Sequence, residues 1–443
     1  MNKTVIASLM LVYFTSGPSV AMASTEADLQ APSITYAPIE PAGSHSPQAS
    51  FASWLPSLMQ KFNALPEVVA QQARRNQAEL NIKAADQAVY NPELGVDYQN
   101  AGEDTYTLGI SQTIDWGDKR GAATRRAQLE SEILLSDISL ERSQMLADSI
   151  LALVEQAQSR KAVVFQKQQL QAAKTQFEIA KQQMQVGELS AVELKLIQLD
   201  VASKAADYAV AEQASIASDA NVMMLLGDSE QAFGGFIEAL TLPAVKRQVD
   251  PDLPALKSAY QQVLLARATL DQVKADTAID PTVSLNAERE GEENKFGMGI
   301  SIPLQIRNNY SETLAVASQD IAIAEQGYLA RERVLTHQQK KFNLSLPRLT
   351  ERYQDWRELV LNSGQEAASA LGQQWRAGDI NTSDYLQSQR QLSSSYLVGL
   401  ELETALYQSW LEWMGASGQL ESFLQAQLSG QPLNSASNAA AAL

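Results

Sequence analysis

Cysteine is absent from this 443-residue chain, and histidine occurs only as His45 and His337. Without thiols there are no disulfide staples, thiolate metal sites or thiol nucleophiles. The sequence also offers no cysteine to carry a lipid, so membrane attachment has to come from the fold. Two histidines do not make a three-histidine zinc centre. Basic residues are scarce: 34 Lys and Arg stand against 51 Asp and Glu, a formal net charge of −17. That balance leaves no basic surface for nucleic-acid phosphates. It favours cations nearby, but it equally serves solubility, and charge alone does not choose. Beyond the first residues there is also no apolar run of the roughly 20 residues that a membrane helix needs. If the chain spans a bilayer, it does so as a closed β-barrel.

The start has the three parts of a secretory signal in order. Lys3 supplies the basic region, Val5 to Phe14 the apolar run, and Ala21-Met22-Ala23 a cleavage site before Ser24. The run is too short to span a membrane, so residues 1–23 are expected to be a signal peptide. Residues 24–64, rich in Pro, Ser and Ala, read as an extended N-terminal arm.

Catalytic signatures are missing as well. There is no Walker-type phosphate loop, and no nucleophile elbow accompanies the isolated His337. The expectation is a non-enzyme without cofactor or resident metal. Met223-Met224 reads as packing rather than a soft-metal site, and His337 as a solvated helical residue.

What is present is a duplication. Asn91-Pro92 recurs as Asp280-Pro281, Gly109-Ile110-Ser111 as Gly299-Ile300-Ser301, Gly187-Glu188-Leu189 as Gly378-Asp379-Ile380, and Leu226-Gly227 as Met414-Gly415. The landmarks keep their order at nearly constant offset. Repeat 1 is expected over 65–228 and repeat 2 over 253–418, with an inter-repeat segment at 229–252 and a C-terminal tail at 419–443. Each repeat has a lead-in helix, a β-hairpin, a very long helix, a glycine turn and a second long helix.

The hairpins are placed at 92–114 and 281–304. Leu94, Val96 and Tyr98, then Tyr106, Leu108 and Ile110, alternate with small or polar residues; so do Val283, Leu285 and Ala287, then Phe296, Met298, Ile300 and Ile302. Period two with one apolar face marks strands. An ordinary half-buried hairpin has the same pattern. Here each strand approaches the roughly 9–11 residues of a tilted membrane strand, and the opposing Gly, Ser and Thr suit a wet lumen. Four such strands cannot close a barrel, so several chains must share one.

The long helices are placed at 117–186 and 188–226, then 308–377 and 379–415. Between Gly121 and Gly187, and again from Glu188 to Leu226, there is neither glycine nor proline. A helix over 117–186 would reach roughly 100 Å. Leu170, Ala173, Phe177, Ala180 and Met184 follow coiled-coil spacing, as do Val192, Leu196, Leu199, Ser203, Ala206 and Val210 on the return helix. In the second repeat Pro347 predicts a break near Leu344 to Arg348, read as part of a belt outside a barrel that 229–252 and 420–443 could join. The fold class is mainly α with a small β part: duplicated β-hairpins plus long antiparallel coiled-coil helices.

This layout resembles the TolC-type outer-membrane efflux factors over nearly all of the mature chain. In that family a glycine turn between antiparallel helices is followed six positions later by an acidic residue. Val186-Gly187-Glu188-Leu189 leads to Glu193, and Ala377-Gly378-Asp379-Ile380 to Asp384. The resemblance implies a homotrimer with a twelve-stranded outer-membrane barrel and a periplasmic helical tunnel. It implies that these turns are the periplasmic tip, docking an adaptor protein, with Asp384 a gate candidate. Asn91-Pro92-Glu93-Leu94, Gly109-Ile110-Ser111-Gln112 and Gly117-Asp118-Lys119-Arg120 resemble the CzcC-like branch. That branch serves heavy-metal efflux with an inner-membrane resistance-nodulation-division pump. Asp118 departs from it where a second glycine is common, and the second repeat has Arg307-Asn308-Asn309 instead.

The implied function is therefore a passive exit duct, with heavy-metal cations as cargo. The same fold also serves drug efflux and type I protein secretion. From another class, a soluble periplasmic coiled-coil scaffold would explain the helices but not the strands. Glu193 and Asp384 are equally ordinary carboxylates in the first turn of a helix, where the macrodipole favours them. Trp116, Lys119 and Arg120 mark the membrane boundary, facing outer-membrane lipid or a neighbouring chain; a solvated basic helix end and a core aromatic are the plain readings.

Overall fold

The computed structural model describes residues 47–100, 102–227, 249–361 and 363–429. The expected signal peptide, the arm up to residue 46, the inter-repeat segment up to residue 248 and the tail from residue 430 lie outside the described residues. The described elements are α1 (Pro47–Ala64), α2 (Pro66–Ala85), β1 (Glu93–Asn100), β2 (Asp104–Thr113), α3 (Lys119–Val186) and α4 (Ala191–Leu226). The second repeat supplies α5 (Pro254–Asp276), β3 (Thr282–Glu290), β4 (Glu293–Ser301), α6 (Ser311–Trp356), a π-turn (Arg357–Leu361), α7 (Gly364–Ala377) and α8 (Thr382–Ser417), and α9 (Leu420–Ser429) follows.

The duplication is visible in the backbone. A proline opens both lead-in helices, Pro66 in α2 and Pro254 in α5, where its missing N–H costs nothing. The hairpins form one antiparallel sheet in the order β1-β2-β3-β4. The two repeats join along β2 and β3, with Ile110 opposite Leu285 and Gly109 opposite Asn286. Among the described residues, β1 and β4 are edges, each paired on one side only. Where strand turns into long helix, Asp118 (φ 57°) and Tyr310 (φ 60°) both adopt the left-handed conformation. The same sharp change of direction is thus built twice.

The main core lies midway along α3, far from the sheet. Leu146, Ile150, Leu153 and Val154 of α3 meet the ends of α4 and α8, the start of α5, and Leu335, Phe342 and Leu346 of α6. Trp410 and Phe423 meet edge to face within it, their centroids 5.5 Å apart. The supposed extended arm is corrected here: 47–64 is helix α1, and its Trp54, Leu55, Leu58 and Phe62 are buried in this core. Arg142 of α3 fastens the belt. It holds Glu421 of α9 through two nitrogens at 2.6 and 2.9 Å, and its guanidinium lies over the Phe62 ring. The beginning of the tail is therefore helical and packed.

Three other expectations are corrected. Helix α6 runs through Pro347 without a break, and the interruption comes ten residues on, as the π-turn and the start of α7. Pro347 is exposed, so its ring opens the solvent side of the helix, the side that lengthens when a helix curves around a core. The interruption falls beside Trp356, whose indole lies against Gly399 of α8 and donates to the Ser395 carbonyl at 2.8 Å. Second, Gly415 is inside α8; Gly418 (φ 78°) ends the helix. Third, the stripe Val192, Leu199 and Val210 does not face α3. Helix α4 instead buries Ile197, Asp200, Lys204, Val222 and Leu226, and leaves that stripe exposed. Heptad spacing identifies a stripe without identifying its partner. On α3 the seam is only partly covered: Ala173 and Ala180 are buried, whereas Met184 is exposed.

Gly399 gives a direct test of the α6–α8 contact. A Cβ there would lie 1.7 Å from the Trp356 ring. Gly399→Val is expected to destabilise the detergent-solubilised protein by about 1–3 kcal/mol through overpacking, read as a lower thermal midpoint. An unchanged midpoint would contradict this packing.

Candidate functional site

Two places gather the residues singled out in the sequence: the joint between sheet and long helices, and the far helical tips. At the joint, Asp280 stands just before β3 and Lys119 opens α3. Their side chains lie 2.6 Å apart and are largely buried. The Tyr90 hydroxyl donates to Asp280 at 2.8 Å, and Lys119 donates to Tyr90 at 3.0 Å. The backbone N–H groups of Trp116 and Gly117 also donate to Asp280, at 3.0 and 3.4 Å. Burial opposes the Asp280 charge, but the bonds from Lys119, Tyr90 and the two N–H groups outweigh it and hold its carboxyl below the usual carboxylate range. Burial likewise opposes the Lys119 charge, and its bonds to Asp280 and Tyr90 outweigh it, so its pKa lies above the ordinary lysine value.

The joint is close-packed. A Cβ at Gly117 would meet Ala278 at 2.5 Å and the Ala275 carbonyl at 2.7 Å, which explains the glycine. Asp115 accepts the first free N–H groups of α3, from Lys119 at 2.8 Å and Arg120 at 2.9 Å. Of the three boundary candidates, Trp116 is exposed and Arg120 points outward near Asp86. Lys119 turns inward to Asp280. Sequence inspection missed Asp280 and Tyr90; the change from Asn91 to Asp280 between the repeats was the available signal.

At the tips, Gly187 (φ 84°) and Gly378 (φ 82°) end α3 and α7 with the same pair of bonds. Glu188 N–H reaches Gln183 and Gly187 N–H reaches Met184; Asp379 reaches Gln374 and Gly378 reaches Trp375. This closes the free carbonyls of each helix and requires a left-handed residue, which favours glycine. Glu193 and Asp384 then sit at equivalent places. Ser190 accepts from Glu193 N–H at 3.2 Å, and Glu193 accepts back from Ser190 N–H at 2.9 Å. Asn381 accepts from Asp384 N–H at 2.8 Å and donates its amide to the Asp384 carboxylate at 2.8 Å. The acidic residue six places after each glycine is thus the third residue of a capped helix. Bonds from the Ser190 side chain and backbone hold the Glu193 pKa below its ordinary value.

Val186, Glu188, Ala377 and Asp379 are exposed at the turns, while Leu189 and Ile380 fold inward onto a small core. That core joins the two tips, with Ile197, Trp375, Tyr385 and Leu386 at its centre. Trp375 stacks on Tyr385 and donates to Thr382 at 3.2 Å; Thr382 donates to Glu193 at 3.2 Å. Just above, buried Asp200 of α4 accepts from Arg390 of α8 at 3.4 Å. Burial pushes the neighbouring Lys204 pKa down, against the pull of Asp200 and Asp207. The Thr382–Glu193 and Asp200–Arg390 bonds join one repeat to the other, and neither was legible from the repeat. Among the described residues, no group of three or more His, Cys, Asp or Glu is placed to hold a metal ion, and no helix is long and apolar enough to cross a membrane.

A four-stranded antiparallel sheet feeding duplicated pairs of long helices, of which the 68-residue α3 reaches about 100 Å, is the protomer fold of the TolC-type outer-membrane channels. Among solved structures, the chain is similar to CusC, described as forming a transmembrane channel (TM-score 0.70, 11% identity, 82% of this chain and 91% of that one). It is similar also to the CmeC outer membrane channel of Campylobacter jejuni (TM-score 0.70, 11% identity, 86% and 90%). In sequence it is similar to the cobalt-zinc-cadmium resistance protein CzcC of Cupriavidus metallidurans, 24% identical over 342 residues, 74% of this chain and 78% of that protein. No protein-family model matches the sequence.

Two predictions follow from the geometry. Asp280→Asn leaves the Lys119 charge without its partner and is expected to cost on the order of 3 kcal/mol at neutral pH. The folded Asp280 pKa is depressed, so its contribution is complete above the unfolded value of ~3.9 and is lost as pH falls through the folded value. Acid titration of thermal stability should therefore show a loss in the parent that the variant lacks. At the tips, Gly187→Val and Gly378→Val each force a β-branched residue into a left-handed turn, costing roughly 1–2 kcal/mol. Proteolysis at the turns should accelerate in both variants; unchanged cleavage would show that the turns tolerate a side chain.

Proposed function

We propose that this protein is the outer-membrane exit duct of a tripartite efflux system. Three copies share one twelve-stranded barrel and continue as a helical tunnel in the periplasm of a Gram-negative cell. The observation that carries this reading is the sheet: four strands, an apolar face turned outward, and two edges without partners. In hydrocarbon such edges are too costly to leave open. The helices support the same conclusion. Helix α4 exposes Val192, Leu199 and Val210, and α6 exposes Val316, Ile323 and Leu344, stripes suited to cover one another between adjacent copies.

The duct is passive and not an enzyme. Energy comes from an inner-membrane pump of the resistance-nodulation-division class, and a periplasmic adaptor docks at Val186 to Leu189 and Ala377 to Ile380. Asp384 and Glu193, repeated by symmetry, place carboxylates around the tunnel mouth, with Asp384 the gate residue. Such rings favour cations. Trp116 and Arg120 meet the lipid boundary. Heavy-metal cations are the cargo; the likeness to CzcC, named for resistance to cobalt, zinc and cadmium, supports this.

Deletion of the gene tests the cargo. Sensitivity to cobalt, zinc or cadmium should rise, and expression of the intact chain should restore resistance. Unchanged metal tolerance together with new sensitivity to drugs would replace the metal reading with drug efflux. Recovery of the protein in the detergent-free soluble fraction would overturn the duct itself.

A further inference from the structure

The duplication and the strand pairing together specify how one copy meets the next. Strand β2 maps onto β4 with the offset of Gly109-Ile110-Ser111 to Gly299-Ile300-Ser301, and β1 onto β3 with that of Asn91-Pro92 to Asp280-Pro281. These two offsets pass an internal check. Leu94 faces Ile110 in the first hairpin, and their images, Val283 and Ile300, face each other in the second.

The same mapping applies to the seam between the repeats. There Gln112 faces Val283, Ile110 faces Leu285, and Leu108 faces Ala287. The image of this β2–β3 seam is a β4–β1 seam between two copies. We infer that copies of this chain pair β4 with β1 so that Ile302 faces Leu94, Ile300 faces Val96 and Met298 faces Tyr98. Gly299 then faces Asp97, as Gly109 faces Asn286 within the chain. The inference rests on the proposed shared barrel and adds its register.

The side chains support it independently of the mapping. All six apolar residues are exposed in the single chain, with Val96 at 74% and Ile300 at 72%. The register puts apolar residues opposite one another on one face and Gly or Ser opposite polar or small residues on the other. A slip of one residue would turn one strand inside out relative to its neighbour. The joint below this seam differs from the one inside the chain. Asn91 takes the place of Asp280, and Ser311, which follows left-handed Tyr310 as Lys119 follows Asp118, takes the place of Lys119. The buried ion pair is thus confined to the seam within a chain, and the seam between chains is uncharged at those positions. No buried charge is left alone before separate chains meet.

Disulfide trapping tests the register on the full chain, which contributes no native cysteine. Val96→Cys and Ile300→Cys are introduced together. Within one chain they stand on opposite edges of four strands spaced about 4.8 Å apart, too far to join. After oxidation in the membrane, a non-reducing gel should shift from monomer to linked oligomers, and Leu94→Cys with Ile302→Cys should do the same. The slipped pairs, Val96→Cys with Met298→Cys and Val96→Cys with Ile302→Cys, should remain monomeric. They place the cysteines on diagonals of about 7–8 Å, beyond disulfide reach. Linking by a slipped pair in preference to the direct pairs would overturn the register and leave the shared barrel standing. Light scattering in detergent separates the remaining cases. An oligomer that no pair links overturns the register alone, whereas a monomer overturns the shared barrel as well.

Discussion

A backbone N–H or C=O in a hydrocarbon layer has to find a partner, because no water is there to supply one. The sheet of this chain meets that demand on its three inner seams and, among the described residues, leaves it unmet on both outer edges. Its outward face carries Leu94, Val96, Met298 and Ile300, side chains that suit lipid. Everything else about the proposed assembly is subordinate to closing those edges. The exposed stripes of α4 and α6 repeat the pattern in the helical part: each helix is covered on one side by its own chain and bare on the other.

The molecule is held together in places far apart. Near the middle of α3, a conventional apolar core gathers the ends of the shorter helices. At the tips, a smaller core with stacked Trp375 and Tyr385 ties the two helix pairs to each other. At the joint below the sheet, Lys119, Asp280 and Tyr90 lock the repeats together where the chain turns from strand to helix. Between these points the helices meet through a further apolar cluster of Phe165, Tyr396 and Leu400 and through small and polar contacts, such as Ser159 with Ser218 and Arg160 with Asp219.

Repetition made much of this legible. A landmark that recurs at constant offset locates its element twice, so the strands, the glycine turns and the helix lengths were readable from Asn91, Gly109, Gly187 and their copies. Where the repeats differ, the sequence was harder to read. Pro347 suggested a break, but it sits on the solvent-facing side of a helix that runs on to Trp356. Helix α1 was hidden by the Pro- and Ser-rich composition before it, although Trp54, Leu58 and Phe62 carried the apolar spacing of a buried face. Glu193 and Asp384 stand at equivalent places, and their local bonds identify them as helix-capping residues.

The sequence by itself determined the local conformation: which stretches are helix or strand, where left-handed glycines turn the chain, and that four strands per chain need more than one copy. These follow from periodicity, propensity and the cost of an open edge, all readable along one chain. Only the tertiary structure decided which stripe of α4 is covered, that Lys119 turns inward to Asp280, and that Thr382 and Tyr385 reach Glu193 and Gln176 across the tips. Those contacts join residues distant in sequence, and a side chain's partner across such a distance is chosen by packing and charge in three dimensions.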